Sequence, residues 1–316
     1  MTMYVKSSTE YKREHKADYG HEKIEILYQD QWLVVINKPS GLLSVPYPGS
    51  KARTAQSVLE EILRKQGSVN NKHKPYVVHR LDRDTSGVMM FALTEVAQQK
   101  IMNTWHQMVT ERLYRAIGEA RRKTSDRILG DLNDEGLIDE PLAQNSHNVG
   151  FVPLPGDVDK AGKPFKTVPA RTHYKKLIKG PTHILFELSL DTGKKNQIRA
   201  HLAAHGYTLA GDEEHRSKTD PFHRLCLHAR TLEFNHPFTG QHMKFEMPEP
   251  KEWEEYVLKG DLHPQKTLWS VESINSKYKS KNSSKSDDSI VLEQRRLSQK
   301  EKSHMNFIEA GKKRQR

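Results

Sequence analysis

Apolar positions recur along this chain at two spacings, and the changes from one to the other mark out its elements. Short apolar or alternating runs predict strands at Ile24–Tyr28 and Trp32–Ile36, split by the turn-prone Gln29-Asp30-Gln31, and at Tyr76-Val77-Val78. Val88-Met89-Met90-Phe91-Ala92-Leu93 is apolar throughout, as a strand buried on both faces would be. Helical spacing marks Ala55–Lys65, where Val58, Leu59, Ile62 and Leu63 form one stripe and Ser57 and Glu60 stand at capping-box spacing. It returns after Thr94, a candidate N-cap, with Ala97, Ile101, Trp105 and Met108.

Between Val109 and Ala120 the period drops back to two, Leu113, Arg115 and Ile117 alternating against Arg112, Tyr114 and Ala116. Arg121 to Val168 is rich in Gly, Pro, Asp and Asn, with little periodicity, and predicts an insertion or long loops over the active face. Arg171–Ile178 and Thr182–Leu190 follow as strands joined across Lys179-Gly180-Pro181, and Gln197–His205 as a short helix stopped by Gly206. Leu225–Phe234 and Met243–Met247 supply the last strands, separated by the turn residues Asn235–Gly240; past Trp253 the pattern fades. No internal repeat is present.

Composition divides the chain. Its 316 residues suffice for a sizeable core, yet only 35% are hydrophobic, and the mean hydropathy of -0.81 points to a polar segment diluting an ordinary domain. From Lys266 onward 13 Lys and Arg face 6 Asp and Glu, so the tail holds +7 of the formal net charge of +11. The expected organisation is a polar arm over 1–22, a catalytic domain over 23–260, and a basic, disordered tail over 261–316 with at most a transient helix from Ile290 to Lys302. The single cysteine, Cys226, lies in an apolar strand and excludes an intrachain disulfide framework. Met1–Gly20 lacks the apolar core of a secretory signal and no stretch reaches membrane-spanning length, so the expected compartment is the cytoplasm, with no membrane partner.

The densest chemistry is His79-Arg80-Leu81-Asp82-Arg83-Asp84-Thr85-Ser86-Gly87, which puts Asp82 on a loop between two strands. The string resembles motif II of the RNA pseudouridine synthases of the RluA type, His-Arg-Leu-Asp followed after two residues by Thr-Ser-Gly. Three further segments resemble the same family, in order: Lys38-Pro39-Ser40-Gly41, a turn beneath the catalytic loop; Arg112-Leu113-Tyr114-Arg115-Ala116, with Arg112 for the usual lysine; and Gly193-Lys194-Lys195-Asn196-Gln197-Ile198-Arg199. Downstream, Gly206–Asp212, Leu227-His228-Ala229 and His236-Pro237 continue the likeness, which runs from about Ile24 to Trp253. It implies an α+β fold, a mixed, mostly antiparallel sheet flanked by helices and loops around a central cleft.

The implied reaction turns uridine into its C-glycoside isomer: the bond from C1′ to N1 breaks, the uracil turns, and C1′ rejoins at C5. A carboxylate suits this, since it can attack C1′ or stabilise cationic character there. The resemblance makes Asp82 that group, Tyr114 the residue that stacks on the uracil and moves a proton, and Arg199 the cation that grips both carboxylate oxygens of the aspartate. It assigns Arg80 to RNA contact, where Arg80 can fill the place of an extruded base; a structural ion pair with Asp84 is the other role open to it. Lys194, Lys195 and Asn196, which replace the commoner Arg, Thr and His, are also expected to contact RNA.

His79 reads as a hydrogen-bonded packing residue, and Trp105 as core or as a stacking platform. His201 and His205 stand one helical turn apart, but Leu202-Ala203-Ala204 between them lacks the glutamate of a zinc-protease helix, so no metal and no cofactor are expected. The resulting expectation is a monomeric enzyme acting on structured RNA, ribosomal or transfer. The competing classes are a silent RNA-binding protein on the same fold, and a glycosidase, which would need a second carboxylate facing Asp82.

Overall fold

The computed structural model describes residues 24–47, 49, 52–120 and 128–261. The expected arm, and the expected tail beyond its first residue with its helix at 290–302, lie outside these. The strands are β1 (Glu25–Gln29), β2 (Leu33–Lys38), β3 (His73–Val77), β4 (Ser86–Thr94), β5 (Val109–Glu119), β6 (Glu135–Ile138), β7 (Ala143–Gln144), β8 (Gly150–Phe151), β9 (Thr172–Lys179), β10 (His183–Leu190), β11 (Leu227–Asn235) and β12 (His242–Glu246). The helices are α1 (Ala55–Lys65), α2 (Glu95–Met108), α3 (Gln197–Ala204) and α4 (Glu252–Lys259).

Ten strands build one sheet in the order β1-β2-β4-β11-β5-β10-β9-β6, with β3 paired to β4 and β12 to β11. Among these pairs only β4 with β11 runs parallel, so the sheet is mixed and mostly antiparallel. On one face Val34, Ile36, Met89 and Phe91 pack with Val58, Leu59 and Leu63 of α1. On the other, Leu33, Val35, Val88, Met90 and Ala92 pack with Ala97, Ile101 and Met108 of α2. A strand covered on both sides has no polar face to show, which is why β4 carries an unbroken apolar run.

Three expectations are corrected. The cap of α1 is Thr54, not Ser57: its side chain accepts from the Ser57 N–H, and the Ser57 hydroxyl accepts from the Thr54 N–H. The region expected as loops contains β6, which joins the large sheet, and the small pair β7–β8; residues 121–127 lie outside the description. Past the point where periodicity fades, α4 forms and buries Trp253 and Val257 against Ile117, Leu185 and Cys226. An eight-residue helix offers too few apolar positions for its stripe to stand out among Glu252, Glu254 and Glu255.

Candidate active site

Strand register brings the first two candidates together. Gly87 of β4 lies opposite Ala229 of β11, and Ala229 opposite Tyr114 of β5, so a single row crosses the three central strands. A Cβ on Gly87 would sit 2.1 Å from the Ala229 carbonyl oxygen, and its φ of +114° is one only glycine adopts freely, so this close parallel pairing requires glycine. Asp82 precedes the row in the loop from β3, which turns where the Thr85 N–H donates to the Asp82 carbonyl at 3.2 Å.

The loop is held from beneath by the Lys38–Ser44 segment. Lys38 is fully buried, and its Nζ donates to the carbonyls of Pro39 at 2.9 Å, Leu42 at 2.7 Å and Arg83 at 2.9 Å. The Ser40 hydroxyl donates to the Asp84 carbonyl at 2.7 Å and that of Ser44 to the Leu81 carbonyl at 2.6 Å. The Lys-Pro-Ser-Gly turn supplies donors to the two carbonyls after Asp82, and Ser44, just beyond it, to the one before. On the other side, Ser86 meets His228 Nδ1 at 2.7 Å, whose Nε2 donates to the Met247 carbonyl at 2.9 Å.

The third motif approaches from α3. Asn196 enters the helix in the left-handed region, φ 56°, and Arg199 lies three residues on, over the same face. Asn196 Nδ2 donates to Asp82 Oδ2 at 2.9 Å, and Arg199 Nη1 reaches the same oxygen at 3.5 Å. The rest of the guanidinium is engaged elsewhere: Nε donates to Asp212 Oδ2 at 2.7 Å, Nη2 to Asp212 Oδ1 at 2.5 Å, and Nη2 also meets Glu214 at 2.7 Å. The expected grip on both oxygens of Asp82 is therefore made on Asp212 instead. His215 completes the cluster, Nδ1 at 2.9 Å from Asp212 Oδ2 and Nε2 at 2.8 Å from the Gly150 carbonyl.

Electrostatics follow from this burial. Desolvation pushes the Asp212 carboxyl up, but hydrogen bonds from Arg199 and His215 overcome it and hold the group below the ordinary carboxylate range. Burial likewise pulls the Arg199 guanidinium down, and Asp212, then Asp82 and Glu214, more than reverse it. Tyr114, 8% exposed, has its phenol raised by burial and by the Asp82 charge, against an opposing contribution from Arg112.

Of the other candidates, Lys194, Lys195 and Arg80 are exposed. Arg80 makes no ion pair among the described residues, and Asp84 is paired instead with Arg83 at 3.2 Å. Asn196 differs from the RNA surface residue expected of it: it is 4% exposed and hydrogen-bonded within the protein. His79 is a packing residue, its Nε2 accepting from the Met90 N–H at 2.9 Å and its ring 4.8 Å from that of Trp105; burial, then Arg112, push it down to about 3. His201 bonds Thr172 and the Glu140 carbonyl, and His205 the Gly130 carbonyl. Sequence reasoning missed Lys38, Asp212 and His215, of which only the first two stood in segments already marked by the family pattern.

A family model described as RNA pseudouridylate synthase matches residues 32–204, which span all three central candidates. The chain belongs to the RNA pseudouridine synthase family. It is an isomerase that converts uridine to pseudouridine in RNA. Its similarity to "Uncharacterized RNA pseudouridine synthase YlyB" of Bacillus subtilis (strain 168) is 32% identity over 235 residues, covering 74% of this chain and 72% of that one. "Ribosomal large subunit pseudouridine synthase D" of Pseudomonas aeruginosa is 33% identical over 245 residues, covering 73% and 70%. Among solved structures, human RNA Pseudouridylate Synthase Domain Containing 1 shares the synthase fold at a TM-score of 0.55 and 19% identity, over 87% of this chain and 96% of that one. Human RNA Pseudouridylate Synthase Domain Containing 4 does so at 0.53 and 23%, over 78% and 95%. No helix among the described residues of the synthase is long and apolar enough to cross a membrane.

Proposed function

We propose that this synthase modifies ribosomal RNA, with Asp82 as the carboxylate that acts at ribose C1′, Tyr114 beside it as the residue that stacks on the uracil and moves a proton, and Arg199 as the buried cation of the site. The observation that carries the assignment is convergence: three segments far apart in sequence bring a carboxylate, a buried phenol and a buried guanidinium to one point. The ribosomal substrate rests on the printed names of relatives such as the large-subunit enzyme of Pseudomonas aeruginosa.

In the proposed cycle the C1′–N1 bond breaks as Asp82 attacks C1′ or stabilises its cationic character, the detached uracil turns, and C5 bonds to C1′. C5 then loses its proton and N1 gains one, so substrate and product are isomers and no redox partner is required. In this reading Tyr114 would stack on the uracil and carry the proton, and its raised pKa keeps it a phenol rather than a phenolate at neutral pH. Arg80, Lys194 and Lys195, exposed around the site, would contact the RNA, with Arg80 free to fill the place of the extruded base. The enzyme would work as a cytoplasmic monomer without cofactor.

Incubating ribosomal and transfer RNA with the protein and with Asp82→Asn, followed by chemical mapping of pseudouridine, tests this. Sites that appear only with the wild-type chain, and only in ribosomal RNA, are expected. Modification confined to transfer RNA would overturn the substrate assignment, and modification by Asp82→Asn would overturn the role of Asp82.

A further inference from the structure

We infer that Asn196 is a positioning residue for the isomerisation: together with Arg199 it holds one oxygen of Asp82, and it thereby presents the other, Oδ1, to the substrate. This rests on Asp82 being the catalytic carboxylate. Both donors converge on Oδ2, and Oδ1 accepts no hydrogen bond among the described residues, while the Asp82 side chain keeps 27% of its surface open. Arg199 is committed mainly to Asp212 and stands 3.5 Å from Oδ2, whereas the Asn196 amide stands at 2.9 Å, so the amide makes the better hydrogen bond.

The amide itself is fixed from its far end. Asn196 Oδ1 accepts from the Gly150 N–H at 3.2 Å, which requires Nδ2 to be the end that faces Asp82. Gly150 can approach because it lacks a side chain: a Cβ there would lie 2.4 Å from the Lys195 carbonyl oxygen and 3.3 Å from Asn196 Cβ. Asn196 occupies the N-cap of α3 but makes no side-chain capping bond, so its amide is diverted from the usual task of that position. Its left-handed backbone, which asparagine tolerates better than most residues, is what turns the side chain away from the helix and toward the loop of Asp82.

Asn196→Asp separates this role from a structural one. Aspartate keeps the shape, the acceptor for Gly150 and a tolerance of the left-handed region, but it replaces the N–H facing Asp82 with a charged carboxylate oxygen that repels it. The expected result is a kcat lowered by at least about 10- to 100-fold, the scale of a lost charge-assisted hydrogen bond, with KM for RNA unchanged and the thermal midpoint lowered, because two carboxylates then face each other in a buried site. Asn196→Gly, which adopts the same backbone freely, is expected to lose rate to a similar degree and decides the matter should the aspartate variant not fold. A rate within about twofold of wild type in a folded variant would overturn the inference, as would a loss carried by KM, which would mean that Asn196 touches RNA. With wild type and Asp82→Asn run alongside, an inactive wild type or an active Asp82→Asn would tell against the reading of Asp82, whereas unimpaired Asn196 variants beside a dead Asp82→Asn would tell against this inference alone.

Discussion

Arg199 lays its guanidinium along Asp212, Nε and Nη2 each on a separate oxygen, and touches Asp82 through Nη1 alone at 3.5 Å. The buried ion pair of the site is therefore Arg199 with Asp212, and Asp82 borrows its edge. Such an arrangement lets one cation face three carboxylates: fully buried Asp212 fixes its position, half-exposed Glu214 adds to the hold, and partly open Asp82 keeps an oxygen for chemistry. A second carboxylate close to Asp82 does exist, but it is locked by Arg199 and His215, as a glycosidase acid could not be.

Removing either member of that pair has a different expected outcome. Asp212→Asn leaves the Arg199 charge in a site where only half-exposed Glu214 and the edge of Asp82 oppose it, so unfolding free energy is expected to fall by about 3–5 kcal/mol, measured by urea titration. Arg199→Lys cannot bond both oxygens of Asp212 and still reach Asp82, so its rate is expected to fall by about 10- to 100-fold with RNA affinity unchanged. Equal turnover by the lysine variant in a single-turnover assay would show that the planar fork is dispensable.

Tyr114→Phe keeps the ring and the packing of β5 but removes the phenol. Burial raises the phenol and Arg112 opposes it, with Asp82 adding to the rise, so at neutral pH the hydroxyl enters the reaction protonated. Stability and RNA binding are expected to match wild type while the single-turnover rate falls by about 10²–10⁴-fold. Unchanged turnover and unchanged RNA affinity in the phenylalanine variant would assign Tyr114 to stacking alone.

Lys38→Met tests the support beneath the catalytic loop. Methionine matches the length of the stem, but the carbonyls of Pro39, Leu42 and Arg83 lose the ammonium that all three share. A cost of about 3 kcal/mol in urea unfolding is expected, with a lower kcat because Arg83 is a central residue of the turn that begins at Asp82. An unchanged midpoint would mean that water satisfies those carbonyls equally well.

Why some of this was legible in sequence and some not follows from distance along the chain. Val88–Leu93 announced its double burial because each residue reports its own environment, and Gly87 stood in a motif whose hydroxyls and turn are local. The pairing of Arg199 with Asp212 is thirteen residues apart but spans a helix and a turn, and nothing in spacing says which of two carboxylates receives the fork. His215 bonds a carbonyl at Gly150, and a backbone acceptor leaves no mark on sequence. Helix α4 was missed for a simpler reason, its two anchors Trp253 and Val257 being too few to show a period.

The pH dependence of stability should be set by histidines held neutral. Burial pushes His228 down to about 4 and His79 down to about 3, and lowers His183 and His201 as well. Each titrates near 6.5 in the unfolded chain, so the unfolded state binds more protons once the pH drops below that value, and the native state loses stability. The stability these groups contribute is complete above pH 6.5 and declines as the pH falls toward the folded values, at up to about 1.4 kcal/mol per pH unit for each histidine. Asp212, held below its ordinary 3.8, adds its own loss only beneath that point. Urea midpoints measured from pH 7.5 to 5 are therefore expected to hold steady at first and then fall, and His79→Gln, which can still accept from the Met90 N–H, is expected to flatten the fall. A midpoint that stays level to pH 5 would show that these rings take up protons in the folded protein as readily as in the unfolded one.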